Sequence, residues 1–169
     1  MAFRNPFSRN SGLHGLSRFS LKQLIGWGDH LKVDQPQIDA QHEAIFRIAL
    51  EISEIWRSRG DHEKLKALTR KLQHLLEAHF RFEEQELAEI GYSKLAEHKA
   101  EHQVMLSELQ VILDRMESGR ESALEDTRFS VFNYVLGVTV GHILHSDMDY
   151  CVASREATKN EALLAHSPS

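Results

Sequence analysis

Two short spacings place pairs of donor atoms on single helical faces: His79 and Glu83 are four residues apart, and so are His98 and His102. Residues at i and i+4 are neighbours on a helix, so each pair can meet a common ion. His42 and His142 lie on helical patterns of the same kind, and carboxylates follow closely after His142. A single histidine on a core face is ordinarily a satisfied core residue. Five of them among Leu, Ile, Val and Met are another matter, since each buried polar group without a partner costs about 1–3 kcal/mol. A metal gives all of them partners at once.

The candidates, His42, His79, Glu83, His98, His102, His142 and a carboxylate just after His142, number seven. One tetrahedral zinc takes four ligands, and calcium or magnesium prefers oxygen. Two transition-metal ions sharing both carboxylates as bridges accommodate the whole set, and iron suits a mixed imidazole and carboxylate shell. Two six-coordinate ions offer twelve positions. The seven side chains fill nine of them and a solvent-derived bridge fills two more, which leaves one open for a small diatomic ligand. Regular spacing carries the last stripe from His142 to His145 and then Asp149; Asp147 lies about 140° past a full turn.

The elements that must position these residues are helices. Breaks at Gly60-Asp61, at Gly91 and around Ser118-Gly119 leave four segments of roughly 20 to 30 residues, a length at which helices pack stably. Ile38, His42, Ile45, Ala49, Ile52 and Trp56 form the first stripe. Leu65, Leu68, Leu72, Leu75, His79 and Phe82 form the second, and Leu95, His98, His102, Met105, Leu109, Ile112 and Met116 the third. Val131, Val135, Val138 and His142 form the fourth. Spacings of three and four put each series on a face turned toward the other helices. The expected fold is all-α: an antiparallel up-down-up-down four-helix bundle with an N-terminal arm and a short C-terminal tail. The expected layout is a basic arm over residues 1–24, the bundle over 25–153 and a polar tail over 154–169.

Composition narrows the function. A chain of 169 residues with net charge −5 has the size of one domain and lacks the basic balance that phosphate binding requires, so nucleic acid is not expected as a partner. No apolar run spans a bilayer, so membrane insertion is not expected. The single cysteine, Cys151, suits a reducing compartment, and the arm contains no apolar block of secretory length, so the expected location is cytoplasmic. A protein partner for the arm is left open. His14, His30, His62, His74 and His166 fall off the stripes and are expected in solvent. Glu84 is expected on an outer face or as a supporting carboxylate, and Gln41 to be dispensable for metal content. Tyr150 is expected either near the site or packed at the end of the last helix.

Residues 27 to 150 resemble the hemerythrin family, in particular its single-domain bacterial form. The resemblance rests on Trp27, Ile38-Asp39-Ala40-Gln41-His42, His79-Phe80-Arg81-Phe82-Glu83-Glu84, Gly91-Tyr92, His98-Lys99-Ala100-Glu101-His102, His142-Ile143, Asp147 and Tyr150. It implies two iron ions, Fe2+ or Fe3+, joined by an oxo or hydroxo bridge. His98, His102 and His142 would hold one and His42 and His79 the other, with Glu83 and Asp147 bridging. It thus selects Asp147 over His145 and Asp149, which a locally widened turn would permit. The implied activity is reversible binding of molecular oxygen, electrons passing to oxygen on binding and returning on release. The alternatives are a di-iron oxidase, peroxidase or nitric-oxide-handling enzyme, or an oxygen or iron sensor acting through a partner. Two positions depart from the family pattern: Asp34 stands where a small residue is expected, and Val138 where a large aromatic is common.

Overall fold

A computed structural model describes residues 23, 25–33, 35–58, 61–118 and 124–147, apart from the side chains at 57, 124–126 and 145. Most of the arm, the whole tail, Asp34, Asp149 and Tyr150 lie outside the described residues, as does the His145 side chain. After a short 3-10 turn, Asp29–Leu31, come four long helices: α1 (Pro36–Ser58), α2 (His62–Glu89), α3 (Leu95–Glu117) and α4 (Leu124–Leu136). Helix α4 continues without a break as a π-helical segment, Gly137–Asp147. No strand occurs among the described residues.

Local chemistry sets the ends of these helices. Helix α1 starts on Pro36, where the missing N–H is one that no helical carbonyl would have received. The Val33 N–H donates to Asp39 Oδ1 at 2.7 Å, which ties the incoming loop to the first turn. Asp61 caps α2 by accepting from the N–H groups of Glu63 (2.8 Å) and Lys64 (3.4 Å). At the other end Gly91 takes φ +66°, the Tyr92 N–H donates to the Leu87 carbonyl at 2.9 Å and the Gly91 N–H to that of Ala88 at 3.2 Å. This is a Schellman ending, and Tyr92 packs against the small apolar cluster that contains Leu87.

Each helix packs on its neighbour in sequence, and α4 closes against α1. Contacts across two of these pairs run in opposite senses. Arg70 meets Glu117, Gln73 meets Gln110, and Glu84 meets His102, so α2 ascends as α3 descends. Trp56 stacks on Phe132 and His42 meets Asp147, so α1 and α4 also oppose one another. The bundle is all-helical as expected, and none of its described helices is long and apolar enough to cross a membrane.

The core is interrupted. A large cluster includes Ile45, Ile52, Leu72, Leu76, Met105, Leu109, Phe132 and Val135, and a small one contains Val33, Ile38 and Leu87, with Phe82, Tyr92 and Leu95 packed at its edge. Along α1, α2 and α3 the histidines and Glu83 lie between the two clusters. The stripes hold over most of their length, with Trp56 and Leu95 half-buried at the ends of theirs and a shift on α2. On α2 the buried face below Leu72 runs through Leu76, Phe80, Glu83 and Leu87, whereas Leu75 and Phe82 are half-buried. A strict seven-residue spacing drifts about 20° per repeat on a straight helix, enough to shift burial to the next residue along.

Candidate metal centre

All seven candidate side chains converge in the gap between the clusters. His42 comes from α1, His79 and Glu83 from α2, His98 and His102 from α3, and His142 and Asp147 from the π-helical segment. All are buried, His98 being the most accessible at 5%. They fall into two sets whose donor atoms lie within 4.8 Å of one another: Glu83, His98, His102 and His142 in one, His42, His79 and Asp147 in the other.

Asp147 is where regular periodicity and geometry part. In a π-helix the hydrogen bonds run i→i+5, so residues five apart return toward one face. His142 and Asp147 have that separation, and His142 Nε2 lies 3.2 Å from Asp147 Oδ1. The other oxygen, Oδ2, lies 3.2 Å from His42 Nε2 and 3.7 Å from His79 Nε2. One carboxylate therefore turns an oxygen toward each set. Glu83 Oε2 lies 3.1 Å from His98 Nε2, 3.3 Å from His102 Nε2 and 3.8 Å from His79 Nε2.

The nitrogens face each other. His42 Nε2 and His79 Nε2 are 3.2 Å apart, and His102 Nε2 and His142 Nε2 are 3.0 Å apart. Two neutral imidazoles can share only one proton across such a contact. Neighbouring ligands held at about 2.1 Å on one ion stand about 3 Å apart when they subtend a right angle. Glu83 Oε1 is buried and has no hydrogen-bond partner, an arrangement that costs about 1–3 kcal/mol or more for a charged group and that a cation relieves. Convergent imidazole nitrogens, two buried carboxylates and this orphaned oxygen fit a pair of transition-metal ions.

In the absence of a cation the site divides its charge unevenly. Burial pulls the His79 imidazole down to about 4 and that of His102 to about 2. Burial, reinforced by the neighbouring Asp147, drives the Glu83 carboxyl well above its ordinary value. For Asp147 burial also pushes upward, but His142, His42 and His79 outweigh it and hold the carboxyl well below the usual range. For His142 burial pushes downward, and Asp147, Glu101 and Glu83 overcome it to raise the imidazole. Two carboxylates in one dry space thus share the burden of a single negative charge.

Three of the outward-facing ring nitrogens face side chains that periodicity did not mark. Gln41 Oε1 lies 3.1 Å from His79 Nδ1, so Gln41 touches a ring of the site from the adjoining helix. Glu84 Oε1 lies 2.9 Å from His102 Nδ1, the supporting place expected for it. Glu101 Oε2 lies 3.6 Å from His142 Nδ1 and accepts from the Ser146 hydroxyl at 3.1 Å. A clue did exist in the sequence. Gln41, Glu84 and Glu101 each directly adjoin a candidate ligand, a place from which a side chain can reach a ring on the next helix.

Aromatic and aliphatic groups enclose the layer. Phe80 stacks on His102 with centroids 3.8 Å apart and planes within 8°. Trp27 meets the His42 ring edge-on at 6.1 Å and packs on Phe46. Ile45, Leu76, Met105 and Val138 are buried beside them, while Leu106 is half-buried. Val138 is part of the main core. Off the stripes, His30 and His74 are exposed as expected, and His62 is half-buried.

A four-helix bundle cut by a buried layer of imidazole and carboxylate donors is a metal-binding bundle. The chain belongs to the hemerythrin family: the hemerythrin HHE cation binding domain matches residues 34–151. It is similar to a bacteriohemerythrin of Clostridium acetobutylicum, with 26% identity over 131 residues, covering 75% of this chain and 98% of the relative. No solved structure matches the chain.

Proposed function

We propose that the two sets of donors hold two iron ions and that the protein binds molecular oxygen reversibly, as a carrier or store. The observation that carries this reading is the unequal division of the donors, four side chains in one set and three in the other, with Asp147 turned toward both. His98, His102 and His142 would hold the fuller ion and His42 and His79 the one with room for a further ligand, with Glu83 and Asp147 shared between the two. When bound, the iron pair supplies the electrons that oxygen binding draws on and that release returns.

The protein's own part is to fix and shield. Helices α1 to α3 and the π-helical segment hold the donors in place before metal arrives, and Phe46, Phe80, Leu76 and Val138 keep bulk water from the layer. Five neutral imidazoles with two carboxylates donate less negative charge than the carboxylate-rich shells of oxygen-activating bundles. That composition favours binding over oxidation. Cys151, the single cysteine, suits a reducing cytoplasm.

Anaerobic reduction followed by exposure to oxygen tests the reading. A stable oxygen charge-transfer band that disappears under vacuum and returns on re-exposure is expected. Immediate conversion to the ferric form with release of peroxide would overturn it in favour of an oxidase.

A further inference from the structure

The outer sides of the two donor sets carry different charge. In the fuller set, His102 Nδ1 is hydrogen-bonded to the Glu84 carboxylate at 2.9 Å, and His142 Nδ1, buried without a hydrogen bond, has the Glu101 carboxylate at ion-pair distance, 3.6 Å away. In the other set, His79 Nδ1 faces a neutral amide, Gln41 Oε1 at 3.1 Å, and His42 Nδ1 is buried with no hydrogen-bond partner. Trp27 meets the His42 ring edge-on, and the Asp147 carboxylate lies against its Nε2, the inward-facing nitrogen.

We infer that Glu84 and Glu101 are positioning residues that make the His98–His102–His142 set the high-affinity half of the centre, loaded first and emptied last. This rests on the two-metal reading above and concerns how the two halves differ. An imidazole that donates its second N–H to a carboxylate is fixed in the tautomer that leaves Nε2 free for metal, and its ring becomes a stronger donor. An amide fixes the tautomer as well but lends no charge. A ring with no partner receives neither benefit. Glu84 and Glu101 are both partly open to solvent, with side chains 25% and 39% exposed, and Lys99 lies 3.7 Å from Glu84. Their charges are therefore damped but are borne beside the rings. The fuller set also has the extra donor, so the argument turns on what happens when charge alone is altered.

The test uses the full chain loaded with two zinc ions, a redox-inert probe, and withdraws metal with graded chelator. Histidine ring nitrogen shifts report which imidazoles remain bound. In the parent protein His42 and His79 are expected to lose their ion while His98, His102 and His142 keep theirs. Glu84→Gln and Glu101→Gln preserve size and hydrogen-bonding capacity and remove the charge. Each should weaken the retained ion about tenfold or more, the usual effect of losing such a partner, and leave the first-released ion unchanged. Gln41→Glu supplies the missing anion to His79 and should tighten the first-released ion, narrowing the gap between the steps. Release from the three-histidine set first, or Gln variants with unaltered retention, would overturn the inference while two ions per chain leave the two-metal reading standing. Failure to take up a second ion would overturn both.

Discussion

His142 and Asp147 stand five residues apart and still turn to the same space, His142 Nε2 lying 3.2 Å from Asp147 Oδ1. The π-helical segment makes this possible, and it lets the second oxygen of Asp147 lie 3.2 Å from His42 Nε2 on the opposite helix. Asp147→Ala is therefore expected to strip the centre, reducing bound iron well below the parent value. His79→Ala should lower the content of the smaller set's ion, and Asp149→Ala should leave content unchanged. Iron analysis of the three variants checks this, and equal loss in all of them would contradict it.

Much of this arrangement was legible before any coordinates. The 3-4 spacing of Ile38, His42, Ile45 and Ala49, and of His98, His102, Met105 and Leu109, follows directly from helical geometry, and those residues are buried. Asp147 was not reachable by that route, because the widened turns of residues 137–147 reset the phase of the stripe. A resemblance supplied what periodicity could not. The contact of Gln41 with His79 was not legible, because it depends on how α1 crosses α2, and spacing within one helix carries no such information.

Metal removal should lower stability. Seven ionisable side chains lie in a dry layer, and a ligand that binds only the folded state stabilises it by about 4 kcal/mol at a thousandfold excess over its Kd. At about 2–4 °C per kcal/mol for a chain of this size, the metal-free protein should melt roughly 10 °C lower. Scanning calorimetry with and without metal measures the difference, and coincident transitions would contradict it.

Acid should destabilise the metal-free protein for a definable reason. His79 and His102 titrate at about 4 and about 2 when folded, against about 6.5 when unfolded. Below about 6.5 the unfolded chain therefore takes up two protons that the folded protein refuses, and stability falls with pH. The Glu83 carboxyl, raised by burial, holds a proton in the folded state that the unfolded chain has lost above its ordinary value, and so offsets one of the two. The His142 imidazole, raised in the folded state, also keeps its proton near 6.5, so the net loss emerges as pH falls from about 6 toward 5 and approaches about 1.4 kcal/mol per pH unit lowered. Denaturant midpoints at the two ends check the sign, and stability that rises on acidification would contradict it.

The turn between α2 and α3 provides a test of fold without site. Gly91 has φ +66°, and a Cβ there would meet nothing within 4 Å, so Gly91→Ala should cost only the conformational penalty of about 1 kcal/mol. Iron content should be unaffected. A much larger loss of stability, or loss of metal, would mean that the turn does more than end the helix.

The number of irons held by each chain tests the central claim most directly. The purified protein, analysed for metal against a quantitative amino-acid determination, is expected to contain two irons per chain, one for each set of donors. A single tightly held ion, or zinc as the native content, would contradict it.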